Sequence, residues 1–320
     1  MIDHQRSEAR VTSVAPWGVL VVLEDGTAGL VDNAKLPAWR NDAPLPQPGD
    51  SLSVVVLDAT RDPVRVSALP EDAALAERAR PLAGGLVNEV VLSGSTVRRW
   101  PGERAAYVHD LLRWFERRGW AGAPRFLGMS GDGRELLGFV PGEAALTDAR
   151  QRAVRAPEPL AAVTRMVRAF HDLTAGTPLS AGGEVVCHND LSPRNTVYAP
   201  GTVRPVAFVD WDLAAPGERV HDLAHLCWQF LGLGPSVADV PGAARAIRAV
   251  CAAYGPVGGR PVEPRAVVGS VLWWQERCAD GIEAGAARGD APMVRLREAD
   301  VPARVREARA WVARHRDALA

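Results

Sequence analysis

The sequence predicts a chain of the α+β class: a small all-β barrel, then a small β-rich lobe, then a larger and mainly helical lobe. Three observations carry this reading. Residues 8 to 69 hold five short apolar runs separated by turn signals, and residues 81 to 142 hold more short runs of this kind around one helical stretch. From Pro159 onward apolar residues recur at three and four positions, which is the helical period. The boundaries fall at 1–70 for the barrel, 71–80 for a joint, 81–142 for the small lobe and 143–320 for the helical lobe. At 320 residues and 47% hydrophobic content there is material for two or three cores.

The barrel strands read as Ala9–Val14, Trp17–Leu23, Thr27–Val31, Ser51–Leu57 and Val64–Leu69, with turns at Asp25-Gly26, Gln47–Asp50 and Asp62-Pro63. Five strands in so short a span suggest an OB barrel. The stretches VTSVAPWGVLVVLEDGTAGLVDNAKL, PGDSLSVVVLDA and VRVSAL resemble an RNA-binding OB domain of the ribosomal S-one type. That resemblance implies contact between residues 1–70 and RNA. Single-strand binders need stacking aromatics and a basic groove. Here only Trp17 and Trp39 are aromatic, Leu20 and Asp32 stand where an aromatic and a histidine are usual, and acids outnumber bases nine to six between Asp3 and Arg65. A barrel kept for packing or protein contact is the alternative.

Net charge is −1, which predicts no bulk attraction to nucleic acid or acidic membrane. No run of about 18 uncharged apolar residues is present, and MIDHQRSEARV lacks the features of a secretion signal, so a cytoplasmic location is expected. The four cysteines, Cys187, Cys227, Cys251 and Cys278, are scattered without CxxC spacing and read as core thiols. Cys187 sits in the most informative loop, where a thiol reagent is expected to inhibit if it gains access. Lysine occurs once, as Lys35.

The stretch VCHNDLSPRNTVY (Val186–Tyr198) sets His188, Asp190 and Asn195 in the spacing HxDxxxxN, and Asp210 follows fifteen residues later, after the strand-like Val206–Val209. This is a pattern for phosphoryl transfer, which asks little covalent chemistry of a protein. It needs an acceptor hydroxyl held in line and divalent cations to offset charge on the phosphate oxygens. Asp190 is the candidate base, and Asn195 and Asp210 are the candidate ligands for magnesium, a cation that prefers oxygen donors. Asp212 is a candidate for a second metal or for substrate. Arg194 either meets the transferred phosphate or pairs internally.

The loop, together with VDWDLAAPGERVHDLAHL (Val209–Leu226), resembles the catalytic and metal-binding segments of the aminoglycoside phosphotransferase and choline kinase family. The resemblance covers roughly residues 80 to 320. It implies a bilobal protein-kinase-like fold, ATP or GTP as donor with Mg2+, and a small-molecule hydroxyl as acceptor. It also implies that Asp222 braces the catalytic loop from below, with an exposed helix charge as the alternative.

The remaining candidates rest on the same resemblance. Gly84-Gly85 precedes a strand-like run, Leu86–Leu92, as a phosphate loop or an ordinary turn, with Asn88 where the family often has asparagine. The strand lysine of such kinases has no counterpart; Arg98 is the aligned residue, with Arg99 as alternative, and arginine also binds phosphate. The helix Glu103–Arg118 lacks the partner glutamate and offers His109 or Asp110. Phe139 and Val140 are candidates for the hinge that meets an adenine edge.

In the helical lobe, His221 and His225 stand four apart without a third zinc ligand. Helices are expected over Arg219–Phe230, Gly242–Tyr254, Glu263–Ala287 and Val301–Leu319. Glu276, Asp280 and Glu283 make an acidic stripe that suits a polycationic acceptor or is a solvated face, and Trp273 lines a pocket or packs. Two rival functions are an RNA-associated protein whose kinase-like part does not turn over and a silent nucleotide-binding scaffold. Neither has a chemical need for Asp190, Asn195 and Asp210 together.

Overall fold

A computed structural model of the chain describes residues 6–59, 61–81, 90–93 and 95–320, with backbone only for 75–81. Gly84, Gly85 and Asn88, and with them the expected phosphate loop, lie outside the described residues. The chain divides into two compact units: residues 1–100 with 127–137, and residues 101–126 with 138–320.

The first unit opens with the five expected strands: β1 (Arg6–Ala15), β2 (Gly18–Leu23), β3 (Ala28–Asp32), β4 (Ser51–Asp58) and β5 (Val64–Ser67), with a short helix, α1 (Pro37–Arg40), between β3 and β4. They close into a barrel in the order β1-β2-β3-β5-β4, with β4 returning to β1. Alternation explains the interior, since Val11, Val19, Val21, Val31, Val54, Val56 and Val66 all face inward and are almost fully buried. Gly18 is required at the start of β2 because a Cβ there would lie 2.4 Å from the carbonyl oxygen of Val31 on the neighbouring strand. The only lysine is not available to a ligand: Lys35 pairs with Asp72 at 2.9 Å, while Arg40 pairs with Glu71 and Arg65 with Asp32. The barrel is therefore present, but these three cations are offset by acids, and RNA contact finds no support in it.

The joint becomes a helix, α2 (Pro70–Arg78), and its end continues as β6 (Ala79–Pro81). β6 then pairs with β7 (Val91–Ser93), which pairs with β8 (Thr96–Arg99), in a sheet of order β6-β7-β8-β10-β9. The last two strands are β9 (Phe126–Met129) and β10 (Glu135–Gly138), reached after the helix α3 (Ala105–Arg117).

In the second unit α3 buries Val108, Leu111, Leu112 and Phe115. Phe115 meets Trp120, Trp211 and Phe170 at ring separations of 4.6, 5.1 and 6.3 Å, an aromatic core that His188 joins through Trp211. A two-residue strand β11 (Glu143–Ala144), α4 (Asp148–Val154) and α5 (Pro157–Thr174) follow. Along α5 the buried Leu160, Val163, Val167 and Phe170 form one stripe, each contributing roughly 1.5–3 kcal/mol by leaving water. The remaining elements are β12 (Val185–Cys187), β13 (Thr196–Tyr198), β14 (Pro205–Phe208), β15 (Ala215–Gly217), α6 (Arg219–Leu231), α7 (Val240–Tyr254), α8 (Pro264–Ala287), α9 (Ala291–Glu298), α10 (Val301–Arg314) and α11 (Arg316–Leu319). The sequence pattern did not reveal α9, a mostly exposed helix without an apolar stripe, and the expected last helix is broken at His315.

Candidate active site

The loop of residues 188 to 195 runs from β12 to β13, and its shape is set from beneath. Asp222 on α6 is fully buried; its two oxygens accept the backbone N–H groups of His188 at 2.8 Å and Asn189 at 2.9 Å. His171 on α5 donates from Nε2 to Asp222 at 3.0 Å and accepts at Nδ1 from the Tyr254 hydroxyl at 2.7 Å. Burial favours a raised Asp222 pKa, but the His171 contact and the loop amides outweigh it and hold the carboxyl low. His171 is kept neutral by burial. Asp222 is thus the brace and not an exposed helix charge.

His188, the first residue of the motif, is structural. Its Nε2 donates to the carbonyl of Val209 at 3.1 Å, its Nδ1 accepts from the Asp190 backbone, and burial pushes its pKa down to about 4. Its ring lies 4.5 Å from that of Trp211. The histidine therefore fastens the loop to the strand that delivers Asp210.

The pairing of β13 with β14 brings the acidic groups together. Thr196 is opposite Phe208, and the Val209 N–H donates to the Asn195 carbonyl at 2.9 Å, so Asp210 emerges beside Asn195 although it lies fifteen positions further along the chain. Asn195 donates from Nδ2 to Oδ2 of Asp190 at 2.7 Å and to its carbonyl at 3.0 Å. That use of the amide nitrogen leaves the amide oxygen for another partner. Asp190 is pushed up to about 7, first by withdrawal from water and then by the charge of Asp210, with the Asn195 bond opposing. Asn189 and Asp210 both have left-handed backbones, at φ 65° and 64°. Such strain costs of order 1–3 kcal/mol per residue and is offset here by the Asp222 bond to Asn189 and by the Asn189 side chain bonding the Leu213 carbonyl at 2.9 Å.

Arg194 is exposed beside Asn195 and has no hydrogen bond or ion pair with any described residue, so the internal pairing does not occur. Asp212 lies with its carboxylate 3.3 Å from where a Cβ on Gly102 would sit, at the lead into α3.

Arg98 pairs with Asp132 at 2.9 Å and Arg99 with Glu135 at 2.5 Å, both inside the small sheet. Asp110 pairs with Arg113 at 3.0 Å, and the buried His109 stacks on Phe126 at 3.8 Å. Phe139 and Val140 line a cavity of about 370 Å3 together with Leu112, Phe115 and Trp120.

The acidic stripe is offset rather than free. Glu276 pairs with Arg309 at 3.1 Å, and Arg306 pairs with both Asp280 and Glu283. Trp273 stacks on His221 at 4.8 Å and carries Arg277 over its ring. His225 bonds the Leu191 carbonyl at 3.0 Å, and His221 is stacked on Trp273.

Cys187 is fully buried with its thiol donating to the Glu218 carbonyl at 3.2 Å, and burial drives its pKa up, so reagent access is denied. Among the described residues His171, Cys187 and Asp222 have ligand-type atoms within 4.8 Å of one another, but the hydrogen bonds given above already occupy those atoms. The sequence reading passed over His171. The signal was there, since it interrupts the apolar stripe of α5 between Phe170 and Thr174.

In fold the chain is kinase-like, with a braced loop, an asparagine and two carboxylates gathered at one place. Residues 177–264 match the family model described as the phosphotransferase enzyme family, which recovers the resemblance carried by the motifs. A trifolitoxin immunity protein from Rhizobium leguminosarum bv. trifolii is 32% identical over 163 residues. That match covers 46% of this chain and 60% of the relative's length. Among solved structures, a choline/ethanolamine kinase family protein from Mesorhizobium loti superposes with a TM-score of 0.53 at 17% identity, over 79% of this chain and 95% of that one. A macrolide 2′-phosphotransferase from Brachybacterium faecium gives a TM-score of 0.46 at 17% identity, over 69% and 90%. No helix among the described residues is long and apolar enough to cross a membrane.

Proposed function

We propose that the protein is a phosphotransferase that moves the terminal phosphate of ATP or GTP to a hydroxyl group of a small molecule. The observation that carries this is the meeting of Asp190, Asn195 and Asp210 across the β13–β14 pair, held in place by Asp222. In the reaction, the acceptor hydroxyl gives its proton to Asp190 as its oxygen bonds the phosphorus. The bond from phosphorus to the nucleotide diphosphate breaks, and the diphosphate leaves.

The free amide oxygen of Asn195 and the exposed carboxylate of Asp210 fit a magnesium ion, as hard oxygen donors of this kind suit it. When bound, the ion supplies positive charge at the phosphate oxygens. Arg194, exposed next to Asn195, is assigned the phosphate being transferred. Arg98 is assigned a phosphate contact on the small sheet, where Asp132 orients its guanidinium. Gly84, Gly85 and Asn88 are assigned the phosphate loop, and Phe139 and Val140 the adenine edge.

The relative named as a choline/ethanolamine kinase family protein supports an alcohol acceptor. The relative named as an immunity protein adds antibacterial compounds to those worth screening. The test is a panel of hydroxylated metabolites and antibiotics with labelled ATP and magnesium, run with wild type and Asp190→Ala. Transfer by wild type alone is expected; equal transfer by both removes Asp190 as the base.

A further inference from the structure

Beside Asp190 lies a buried histidine that the reaction as described does not use. His225 on α6 is 5% exposed. Its Nδ1 lies 3.0 Å from the carbonyl oxygen of Leu191, an atom that only accepts, so the proton sits on Nδ1. Its Nε2 is therefore a bare lone pair. Among the described residues that nitrogen has no hydrogen-bond partner, and Oδ1 of Asp190 lies 4.0 Å from it.

The ring is held by the edges of Trp228 at 5.6 Å and Trp274 at 5.3 Å, and Trp274 is itself anchored by donating to the His221 carbonyl at 2.9 Å. Cys278, one turn further along α8, feels the charge of Asp190, which places that face of α8 on the same side. Oδ2 of Asp190 is already engaged by Asn195, so Oδ1 is the atom left for the acceptor hydroxyl.

Two acceptor atoms 4.0 Å apart do not bond to each other. They suit two neighbouring donors on one molecule, one hydrogen bond going to each. Adjacent oxygens or an adjacent oxygen and nitrogen on a carbon ring stand about 2.8 Å apart, close enough for two roughly parallel bonds of ordinary length. A substrate with a single hydroxyl forgoes the bond to Nε2, and with it the affinity that one hydrogen bond adds.

Resting on the phosphotransferase reading, we propose that His225 is a specificity-determining residue that accepts a hydrogen bond from a second donor adjacent to the reacting hydroxyl, so that the acceptor is a vicinal diol or vicinal amino alcohol. The nitrogen takes no proton in the reaction; it fixes which hydroxyl faces Asp190.

The test uses full-length protein with four small probes: cyclohexanol, cis- and trans-1,2-cyclohexanediol, and 2-aminocyclohexanol. Nitrogen NMR of 15N-histidine-labelled wild type is expected to show His225 with Nδ1 protonated and Nε2 bare. The Nε2 resonance should move on adding a diol or the amino alcohol and stay put with cyclohexanol; which of these moves it more tells a hydroxyl from an amine as the second donor. With ATP and magnesium, KM for the preferred vicinal probe should be about tenfold below that for cyclohexanol, the worth of one hydrogen bond. His225→Leu should erase that difference while kcat changes little, and His225→Gln, which keeps an acceptor oxygen, should restore part of it.

A proton on Nε2, an Nε2 that ignores every vicinal probe, or His225→Leu with its preference intact overturns the proposal. The two readings fail separately. Phosphate transfer to all four probes alike sinks the role of His225 and leaves the phosphotransferase standing, whereas an Nε2 response with no transfer to any probe does the reverse.

Discussion

Asp190 answers to two opposing influences: a neighbouring carboxylate and scarce water raise its pKa, and an amide from Asn195 lowers it. The net position, about 7, has a kinetic consequence. As the proposed base, Asp190 must be ionised to accept a proton, so kcat/KM should rise with pH through about 7 and fall below it, with added magnesium drawing the midpoint lower. It also has a consequence for stability. The ordinary carboxyl value is 3.8, so between about 4 and 7 the folded state holds a proton that the unfolded chain has released. Stability contributed by this site is therefore lost as pH rises through that window. Asp190→Asn, which keeps the shape and removes the charge, should melt higher than wild type at pH 8 without magnesium. The difference should vanish near pH 4, and transfer should fall by ~10²–10⁴-fold. Asp222 behaves in the opposite sense. Asp222→Ala leaves two loop amides and His171 without their acceptor in a dry interior, and should cost roughly 3–5 kcal/mol in urea unfolding.

At the scale of elements, the site is produced by strand pairing. The β13–β14 pair sets Asp210 against Asn195, and β11 pairs with the other edge of β13 through Glu143 opposite Tyr198. Gly142, at the entry to β11, has φ 153°, and a Cβ there would fall 2.4 Å from the Tyr198 carbonyl oxygen and 2.5 Å from a Val197 methyl. Gly142→Ala should therefore displace β11 and lower the melting temperature, with transfer activity reduced in step as the hairpin loosens. By contrast, the ion pairs between α8 and α10 are exposed, the Arg309 and Glu276 side chains being 38% and 56% accessible. Screening by water limits such a pair to about 0–1 kcal/mol, so Arg309→Ala should shift the urea midpoint only slightly.

At the scale of the whole molecule, charge separates the two families the sequence resembles. A near-neutral chain whose barrel sets Lys35, Arg40 and Arg65 against Asp72, Glu71 and Asp32 offers few cations to track a phosphate backbone. The expected outcome of fluorescence anisotropy with labelled single-stranded RNA at physiological salt is no saturable binding, although Trp17 and Trp39 are exposed on the barrel. Saturable, salt-sensitive binding would restore the RNA reading.

Much of this was written into local sequence. The five barrel strands were legible because alternation and turn residues act over a few positions, and α5, α6 and α8 because one face of each is apolar. The HxDxxxxN loop and Asp210 were legible as a motif because they keep a short, fixed spacing, and the β13–β14 pairing sets Asp210 against Asn195. Other features depended on partners distant in sequence. Whether Asp222 was brace or surface charge turned on His171, 51 positions away, and on the burial of both. Whether the acidic stripe was free turned on arginines supplied by α10, and the orientation of His225 toward Asp190 on how α6 lies against the loop. Periodicity announces which face of an element is buried, but a hydrogen bond or an ion pair is settled only when folding brings a second element within about 3 Å of it.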